Sequence, residues 1–495
     1  MEIELKLALQ PQDAARLRRS EVLKQGAGKA LRQKLYSIYF DTPALDLLKA
    51  GMALRVRKVG RQWIQTAKGG GAVVAGLHQR AEWECRIKDR QPDLQQLPPE
   101  VLALLSAEQW RQIVPVFTTE FWRTIWNLDI AGGSVEMALD QGQVVSGDNS
   151  MPISEVELEL KQGEAGILFK VAKTLLHAVP LKLDSVSKAE RGYTLYSALE
   201  PAPTRAERPS LQRKMSVADG FAALLASCLQ QLQKNGQYLD RYCDIEYLHQ
   251  MRVAVRRFYA ALHLLRKETK IKSWQRLQED LRWLMKKMSP VRDLDVFVQE
   301  TLPAARGLVP ESILQRLQQA AEAVRQESRQ ALFEALASPR YQLFLLDAAA
   351  MLLNPPILSR YRKNRLEPVL HRPLDGWHKK LLSGLRNLHS LSAEQRHRLR
   401  IRAKRLRYAA EFASVLYPQN RWKAYRDGLA QVQDTLGKAQ DRVVAKRFLD
   451  LLGERDPGLN NEIVQFAAWL DSCEADALNS KRLAGEFGKL KPFWQ

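Results

Sequence analysis

The chain opens with a stretch in which charged and aliphatic residues alternate. In an extended strand successive side chains point to opposite faces, so Glu2, Glu4 and Lys6 would share one face while Ile3 and Leu5 share the other. An ordinary solvated edge strand would also fit this stretch taken alone. It predicts a strand that carries two carboxylates and an ammonium group in one row.

The same alternation recurs along the first 200 residues, and turn or glycine-rich sequences separate the repeats. The predicted strands include residues 37–40, 53–57, 63–68, 80–84, 136–140 and 155–161. A sheet with so many charged faces becomes stable if it closes into a barrel around a wet lumen. Segments 10–23, 99–112 and 165–177 are predicted helices that would cover its aliphatic outer surface. We therefore expect an antiparallel barrel with a polar tunnel and outer helices.

Beyond residue 215 the hydrophobic period changes to about 3.6, which is typical of amphipathic helices. Apolar residues between positions 248 and 262 form one stripe of a predicted helix. His249, Arg252 and Arg256 form the opposite stripe, and Arg257 lies close to it. Cations along one stripe repel one another, so this arrangement favours an anionic partner.

The basic stripe occurs twice, with a shift of 148 residues. The second copy contains His397, Arg400, Lys404 and Arg405. An aspartate follows 44 residues after each histidine, as Asp293 and Asp441. The same long interval in two places predicts an internal duplication, with two helical halves that face each other across a basic groove.

Length and composition indicate the domain organisation. The chain has 495 residues and 45% hydrophobic content, enough for more than one core. A proline-rich stretch separates the two periodicities, so the predicted domains are 1–200 and 215–495, joined by a linker at 201–214. We expect neither a signal peptide nor a transmembrane helix, because no run of 18 or more apolar residues occurs. Four scattered cysteines fit neither a metal site nor a disulfide framework, and a cytoplasmic location is expected.

Charge is distributed unevenly between these parts. Residues 1–200 contain 26 basic and 24 acidic residues, whereas the remainder contains 50 basic and 31 acidic residues. The strongly basic second part favours a polyanion as its partner. In the lumen of the first part, cations would bind phosphate oxygens and carboxylates would hold Mg²⁺ or Mn²⁺. That combination is suited to metal-assisted phosphoryl transfer.

A set of charged motifs follows in order along the first 200 residues. They are Glu2-x-Glu4-x-Lys6, Arg55-x-Arg57, Lys68, Arg80-x-Glu82-x-Glu84, Glu136 with Asp140, Glu155-x-Glu157-x-Glu159 and the stretch from Ser187 to Tyr193. With these motifs the first 200 residues resemble the CYTH family, the triphosphate tunnel metalloenzymes. The resemblance implies an α+β domain, an eight-stranded antiparallel β tunnel with outer helices.

The resemblance also implies a role for each matching residue. The implied metal ligands are Glu2, Glu4, Glu157 and Glu159, and Glu2, Glu4 and Lys6 are the implied catalytic residues. The implied phosphate-binding residues are Arg55, Arg57, Lys68, Arg80, Arg123 and Lys188. Glu82, Glu84 and Asp140 would support either the metal or the cations. The implied cofactor is a divalent metal, Mg²⁺ first and Mn²⁺ second.

Residues from about 215 to 490 resemble the CHAD family of helical domains. The two basic stripes, Arg292-Asp293-x-Asp295 and Leu436-Gly437 with Asp441 carry this resemblance. It implies an all-α domain of two duplicated halves that binds inorganic polyphosphate through His249, Arg252, Arg256, Arg257, His397, Arg400, Lys404 and Arg405. The sequence departs from the family pattern at Met288-Ser289, where we expect a changed turn, and at Gln440, where the second half loses an arginine.

Three functions remain open from the sequence. The first is a metal-dependent inorganic triphosphatase that cleaves tripolyphosphate to pyrophosphate and phosphate. The second uses the same tunnel as an adenylate cyclase or as a nucleoside or thiamine triphosphatase, since all of these bind the triphosphate group alike. The third is a non-catalytic polyanion-binding protein. No base-specific pocket is evident, so we expect the first function, without a membrane or nucleic acid as partner.

Overall fold

The chain divides into two compact units. The computed structural model describes residues 2–26, 28–74, 77–242, 244–264, 272–353, 365–472 and 480–495. The first unit comprises Met1–Ala202 and Ala337–Asn354, and the second comprises Pro203–Leu336 and Pro355–Gln495. A segment from the middle of the helical part of the sequence thus belongs to the first unit. The domain boundaries predicted from the sequence did not include this segment in the first unit.

Nine strands form the sheet of the first unit. They are β1 (Glu2–Leu9), β2 (Leu31–Asp41), β3 (Met52–Val59), β4 (Gln62–Val74), β5 (Leu77–Ile87), β6 (Val114–Ile130), β7 (Gly133–Ser146), β8 (Asn149–Gly163) and β9 (Leu181–Leu183). Their order is β5-β4-β3-β2-β6-β7-β8-β1-β9, with an additional pairing between β5 and β1. That pairing closes eight antiparallel strands into a barrel, as predicted. β9 lies outside the ring, paired with the last residues of β1.

The helices follow in chain order. In the first unit they are α1 (Ala14–Arg18), α2 (Glu21–Gly26), α3 (Asp46–Lys49), α4 (Pro99–Leu102), α5 (Ala107–Arg111), α6 (Gly166–Ala178) and α7 (Lys188–Ser197). The second unit continues with α8 (Val217–Gly236), α9 (Ile245–Leu264), α10 (Lys272–Val296), α11 (Leu302–Ala304) and α12 (Glu311–Ala337). Next come α13 (Pro339–Leu353), which belongs to the first unit, and α14 (Leu366–Arg386), α15 (Ala393–Ser414), α16 (Gln419–Arg455), α17 (Asn460–Ser472) and α18 (Ser480–Lys489).

The alternating sequence separates two surfaces of the barrel. On β8, Val156 and Leu158 are fully buried beneath the outer helices, while Glu155 and Glu157 project to the opposite, inner face. Helix α6 supplies part of the outer layer, and its buried side chains are all apolar. The predicted inversion, with charges inside and aliphatic residues outside, is therefore the observed arrangement.

Helix α7 packs into one end of the barrel. Ser187 caps its N-terminus by accepting a hydrogen bond from the Glu190 amide at 3.1 Å. Tyr193 contacts the Phe117 ring edge-on, with ring centroids 5.1 Å apart, and Phe117 stacks on Tyr39 at 4.5 Å. This aromatic group lies on the lumen face of β2 and β6, so aromatic rings line one end of the tunnel.

In the described residues of the second unit, all regular secondary structure is helical, apart from isolated bridges. In it, α9 packs against α8, α10 and α15, and α15 packs against α14 and α16. No helix within the described ranges is long and apolar enough to cross a bilayer. Residues 201–212 contain neither helix nor strand. Cys85 and Cys228 are free thiols, while Cys243 and Cys473 lie outside the described residues.

The packing of α7 gives a test of the fold. A Cβ atom at Gly192 would lie 2.1 Å from the Phe117 ring. We expect Gly192→Ala to lower the free energy of unfolding by about 1–3 kcal/mol, because overpacking forces the surroundings to shift. Chemical denaturation of the full chain measures this change.

Gly166→Ala is the matched control, since a Cβ at this helical glycine meets nothing within 4 Å. It should be neutral or slightly stabilising. Equal stability of the two variants would contradict the packing of α7.

Candidate functional site

A row of three carboxylates crosses neighbouring strands on the lumen face. Glu4 on β1 is the cross-strand partner of Glu159 on β8, and Glu159 is the partner of Glu136 on β7. Lys161 contacts Glu159 at 2.8 Å and Glu136 at 3.5 Å. Like charges directly opposite one another repel, so the row favours a bound cation.

A second acidic cluster lies deeper on the same strands. Carboxylate oxygens of Asp140, Glu155 and Glu157 lie within 4.8 Å of one another. Arg123 donates two hydrogen bonds to Asp140, at 2.8 and 2.6 Å, and also contacts Glu157. The Lys188 ammonium group lies 2.6 Å from Asp140 and 2.9 Å from Glu157, and it contacts Glu155 as well. These buried acids are therefore neutralised by protein cations.

Two more cations complete the cluster. The Lys6 ammonium group lies 3.5 Å from Glu155 and 3.3 Å from Glu157, and Arg191 lies 2.7 Å from Glu155. Burial alone would raise the pKa of Glu155, but Lys188, Lys6 and Arg191 outweigh it and lower the pKa to about 2. Glu155 is therefore ionised over the whole physiological range.

Further cations line β3 and β4. Arg57 donates to the Ser37 hydroxyl at 3.0 Å, and Arg55 donates to Thr66 at 3.1 Å. Glu82 lies 3.6 Å from Arg55 and 3.5 Å from Lys68. Burial, followed by the charges of Arg55 and Arg123, lowers the pKa of Arg57 to about 9. This crowding of positive charge favours an anion in the lumen.

The structure thus brings together most of the residues that the sequence assigned to the tunnel. Glu84 is exposed, and the side chains of Glu2 and Arg80 lie outside the described part of the structure. Glu136, Glu155 and Arg191 were absent from the predicted site. The strand alternation could have indicated Glu155, whereas Glu136 comes beside Glu159 only through the register of β7 and β8.

The lumen carboxylates fit a divalent metal, because hard oxygen ligands suit Mg²⁺, Mn²⁺ or Ca²⁺. The deeper cluster is the less suitable metal site, since its carboxylates already form ion pairs with Arg123 and Lys188. The row with Glu4 and Glu159 is the better one, and Glu157 lies between the two groups. We therefore place the candidate metal site at this row.

The second unit contains a cavity of about 450 Å³ between α9, α10, α15 and α16. Its basic lining residues are Arg252, Arg256, Arg282, His397, Arg400, Lys404, Arg405 and Arg447. We call this cavity the basic groove. Two ion pairs occupy equivalent places in the predicted repeat, Arg252–Asp293 at 3.4 Å and Arg400–Asp441 at 3.7 Å. The duplication of the two halves stays a prediction, with which these matching pairs are consistent.

Not every residue of the two basic stripes reaches the groove. Among the described residues, His249 and Arg257 do not line it. Arg257 is fully buried and donates hydrogen bonds to Gln231 at 2.9 Å and to the Glu207 carbonyl at 3.0 Å. A ring nitrogen of His397 lies 2.7 Å from the Gln440 side-chain oxygen. Arg257 therefore has a structural role in these contacts, and His397 is oriented by the residue that replaces the expected arginine.

Comparison with known proteins agrees with this geometry. The CYTH domain family model matches residues 1–193, and the CHAD domain family model matches residues 223–450. The crystal structure of the CHAD domain from the plant Ricinus communis is 31% identical, with a TM-score of 0.54, over 59% of this chain and 99% of that one.

The chain belongs to the CHAD family and begins with a CYTH domain. The inorganic triphosphatase of Haemophilus influenzae is 35% identical over 198 residues, which is 40% of this chain. The match spans 55% of that protein's length, so the chain covers about half of this curated relative. A divalent metal is the cofactor that the CYTH family implies, and the lumen carboxylates of the CYTH domain fit one.

Lys404 of the CHAD domain gives a test of the groove's electrostatics. Burial, and then the charges of Arg256, Arg400 and Arg252, lower its pKa to about 6, while Asp441 opposes the shift. Lys404 therefore holds its proton weakly in the ligand-free groove, and a bound anion would offset the neighbouring cations and keep the side chain protonated. We expect a midpoint near pH 6 when the ammonium group is titrated by NMR in the full chain without ligand.

Removing a neighbouring charge should reverse part of this shift. Arg256→Ala is expected to raise the midpoint, and the exposed Lys380 serves as an internal reference. A midpoint near 10 for Lys404 in the unaltered chain would contradict the crowding described for the groove.

Proposed function

We propose that the CYTH domain is a metal-dependent inorganic triphosphatase that cleaves tripolyphosphate to pyrophosphate and phosphate. The observation that carries the proposal is the lumen itself, where carboxylates that suit a metal lie beside buried cations that suit phosphate. Carboxylates alone would repel a polyphosphate, and cations alone would bind it without activating a nucleophile. The triphosphatase from Haemophilus influenzae supports the same assignment.

The proposed roles of the tunnel residues, in metal binding and in phosphate binding, differ with their position in the lumen. Glu4, Glu159 and Glu136 of the row would hold a divalent ion, for which Mg²⁺ is the first candidate and Mn²⁺ the second. The family resemblance adds Glu2 and Glu157 to this ligand set. When bound, this ion supplies Lewis-acid stabilisation of charge on the phosphoryl oxygens. Lys6, Arg55, Arg57, Lys68 and Arg80 bind the phosphate chain. The lumen cations together, with Arg123 and Lys188 among them, would offset the charge that develops on the leaving pyrophosphate as water attacks the terminal phosphorus in line.

The triphosphate group alone does not distinguish inorganic substrates from nucleotides. A side-by-side assay with tripolyphosphate, ATP and thiamine triphosphate distinguishes them, and formation of cyclic AMP from ATP would favour a cyclase. We expect phosphate release from tripolyphosphate to be the fastest of these reactions.

Glu4 gives the sharpest test of the proposed chemistry. Glu4→Gln keeps the shape of the side chain and removes one carboxylate from the row with Glu159. We expect metal-dependent hydrolysis of tripolyphosphate to fall by about 100-fold or more, because the proposed metal site contributes several kcal/mol of charge stabilisation. Phosphate release across Mg²⁺, Mn²⁺ and Ca²⁺ measures the effect.

Glu100→Gln is the matched control, since Glu100 is exposed on α4. It should hydrolyse tripolyphosphate at the unaltered rate. Unchanged turnover in Glu4→Gln would remove Glu4 from the ligand set.

The basic groove of the CHAD domain is proposed to bind inorganic polyphosphate. Arg252, Arg256, Arg400, Lys404 and Arg405 line it, and their charges exceed those of the two aspartates in the same lining. Nucleic acid is not proposed as a partner. DNA is expected to compete poorly with long-chain polyphosphate at moderate salt, and tight DNA binding with a steep salt dependence would favour the rival function.

Charge reversal in the groove tests this binding. Arg256→Glu with Lys404→Glu should weaken long-chain polyphosphate binding by at least about tenfold, because attraction becomes repulsion at both positions. Titration calorimetry of the full chain measures the affinity.

The matched control is Lys380→Glu with Arg386→Glu. It makes the same change in net charge on exposed positions of α14 outside the groove. If both double variants lose affinity equally, binding depends on net charge and the groove is not the site.

A further inference from the structure

Helix α13 contributes to the CYTH unit although its sequence lies within the helical part of the chain. It packs against α6 and β9, and Lys173 on α6 pairs with Asp347 on α13. Phe344 and Leu346 of α13 are buried. The helix is therefore an integral part of this unit.

One polar contact from α13 reaches the backbone of β9. The side-chain oxygen of Gln342, which is 3% exposed, accepts a hydrogen bond from the Leu183 amide at 2.8 Å. β9 is the last strand in the sheet order and pairs only with β1 in the described sheet, so its outer edge needs another partner. A partly buried amide left without an acceptor would cost about 1–3 kcal/mol. Gln342 thus fixes the end of β9.

The residue that follows connects β9 to the lumen. The Asp184 amide donates to the Lys6 carbonyl at 3.0 Å, and the Asp184 carboxylate accepts from the Val186 amide at 2.9 Å and from Arg191. Arg191 in turn lies 2.7 Å from Glu155. The contacts from Gln342 to the acidic cluster are therefore continuous.

Arg191 offsets part of the negative charge of Glu155, which Lys6 and Lys188 would otherwise offset alone. Glu155 is shared among Arg191, Lys6 and Lys188. If Arg191 moved away, Lys6 and Lys188 would be held more strongly by this carboxylate. They would then be less available to phosphate oxygens.

We propose that Gln342 is a positioning residue for the triphosphate tunnel: by holding Leu183 and Asp184 it keeps Arg191 on Glu155, so that this carboxylate holds Lys6 and Lys188 less tightly when the substrate binds. This inference rests on the proposed triphosphatase function. It assigns to a helix encoded far along the chain a part in substrate binding by the CYTH domain.

The test uses three variants of the full chain. Gln342→Leu removes the acceptor at nearly constant volume, and Gln342→Glu restores an acceptor oxygen at the same place. Asp347→Asn weakens the contact between α6 and α13 without touching β9, and it is the matched control. Three quantities are measured: the hydrogen-exchange rate of the Leu183 amide, and the KM and kcat for tripolyphosphate.

We expect Gln342→Leu to exchange the Leu183 amide at least tenfold faster and to raise KM about tenfold, with a smaller change in kcat. Gln342→Glu should recover most of both losses, and Asp347→Asn should change neither. The proposal is overturned if Gln342→Leu leaves KM unchanged, or if Asp347→Asn raises KM equally.

The test separates this inference from the proposed function. If the unaltered chain fails to hydrolyse tripolyphosphate, the triphosphatase assignment fails. Hydrogen exchange and calorimetric measurement of tripolyphosphate binding then test the positioning role, because neither requires catalytic activity. Unchanged binding in Gln342→Leu would overturn it.

Discussion

Pairing of buried charges is the constraint on which the CYTH domain depends. Moving an ion out of water costs several kcal/mol, and removing one partner of a buried pair leaves that cost uncompensated. Asp140, Glu155 and Glu157 meet this requirement through Arg123 and Lys188 at distances below 3 Å. A lumen of this kind is costly to rearrange. Its geometry is set before any substrate enters, which is the condition for electrostatic catalysis.

The sequence predicted the inner face of this barrel well, because strand alternation is a local property. Residues two apart lie on the same face whatever the rest of the fold does, so Glu4 with Lys6 and Glu155 with Glu157 could be assigned directly. Closure was a stronger inference, since it depends on β1 pairing with both β5 and β8. The neighbours of a residue across strands depend on register, and no local pattern reports it. For this reason the position of Glu136 beside Glu159 was missed.

In the helical part, too, local features were predicted from the sequence, whereas burial and long-range packing were not. The 148-residue shift predicted equivalent positions, and the ion pairs Arg252–Asp293 and Arg400–Asp441 occupy them. Arg257 was assigned to the groove from sequence, yet it is fully buried, with hydrogen bonds to other groups. One step along a helix turns a side chain by about 100°, enough to take Arg257 off the face of Arg256. The membership of α13 in the first unit depends on long-range packing, which hydrophobic period alone does not encode.

The two candidate sites differ in the chemistry that their charges permit. In the tunnel, carboxylates and cations alternate at close range, so a metal and a phosphate chain can be bound together. In the groove, burial and then the charges of Arg256, Arg400 and Arg252 lower the pKa of Lys404 to about 6. Asp293 and Asp441 in the groove each form an ion pair with an arginine. An anion relieves the repulsion in the groove, whereas a metal would add to it. This difference in charge is why we propose turnover of phosphate chains in the tunnel and only their binding in the groove.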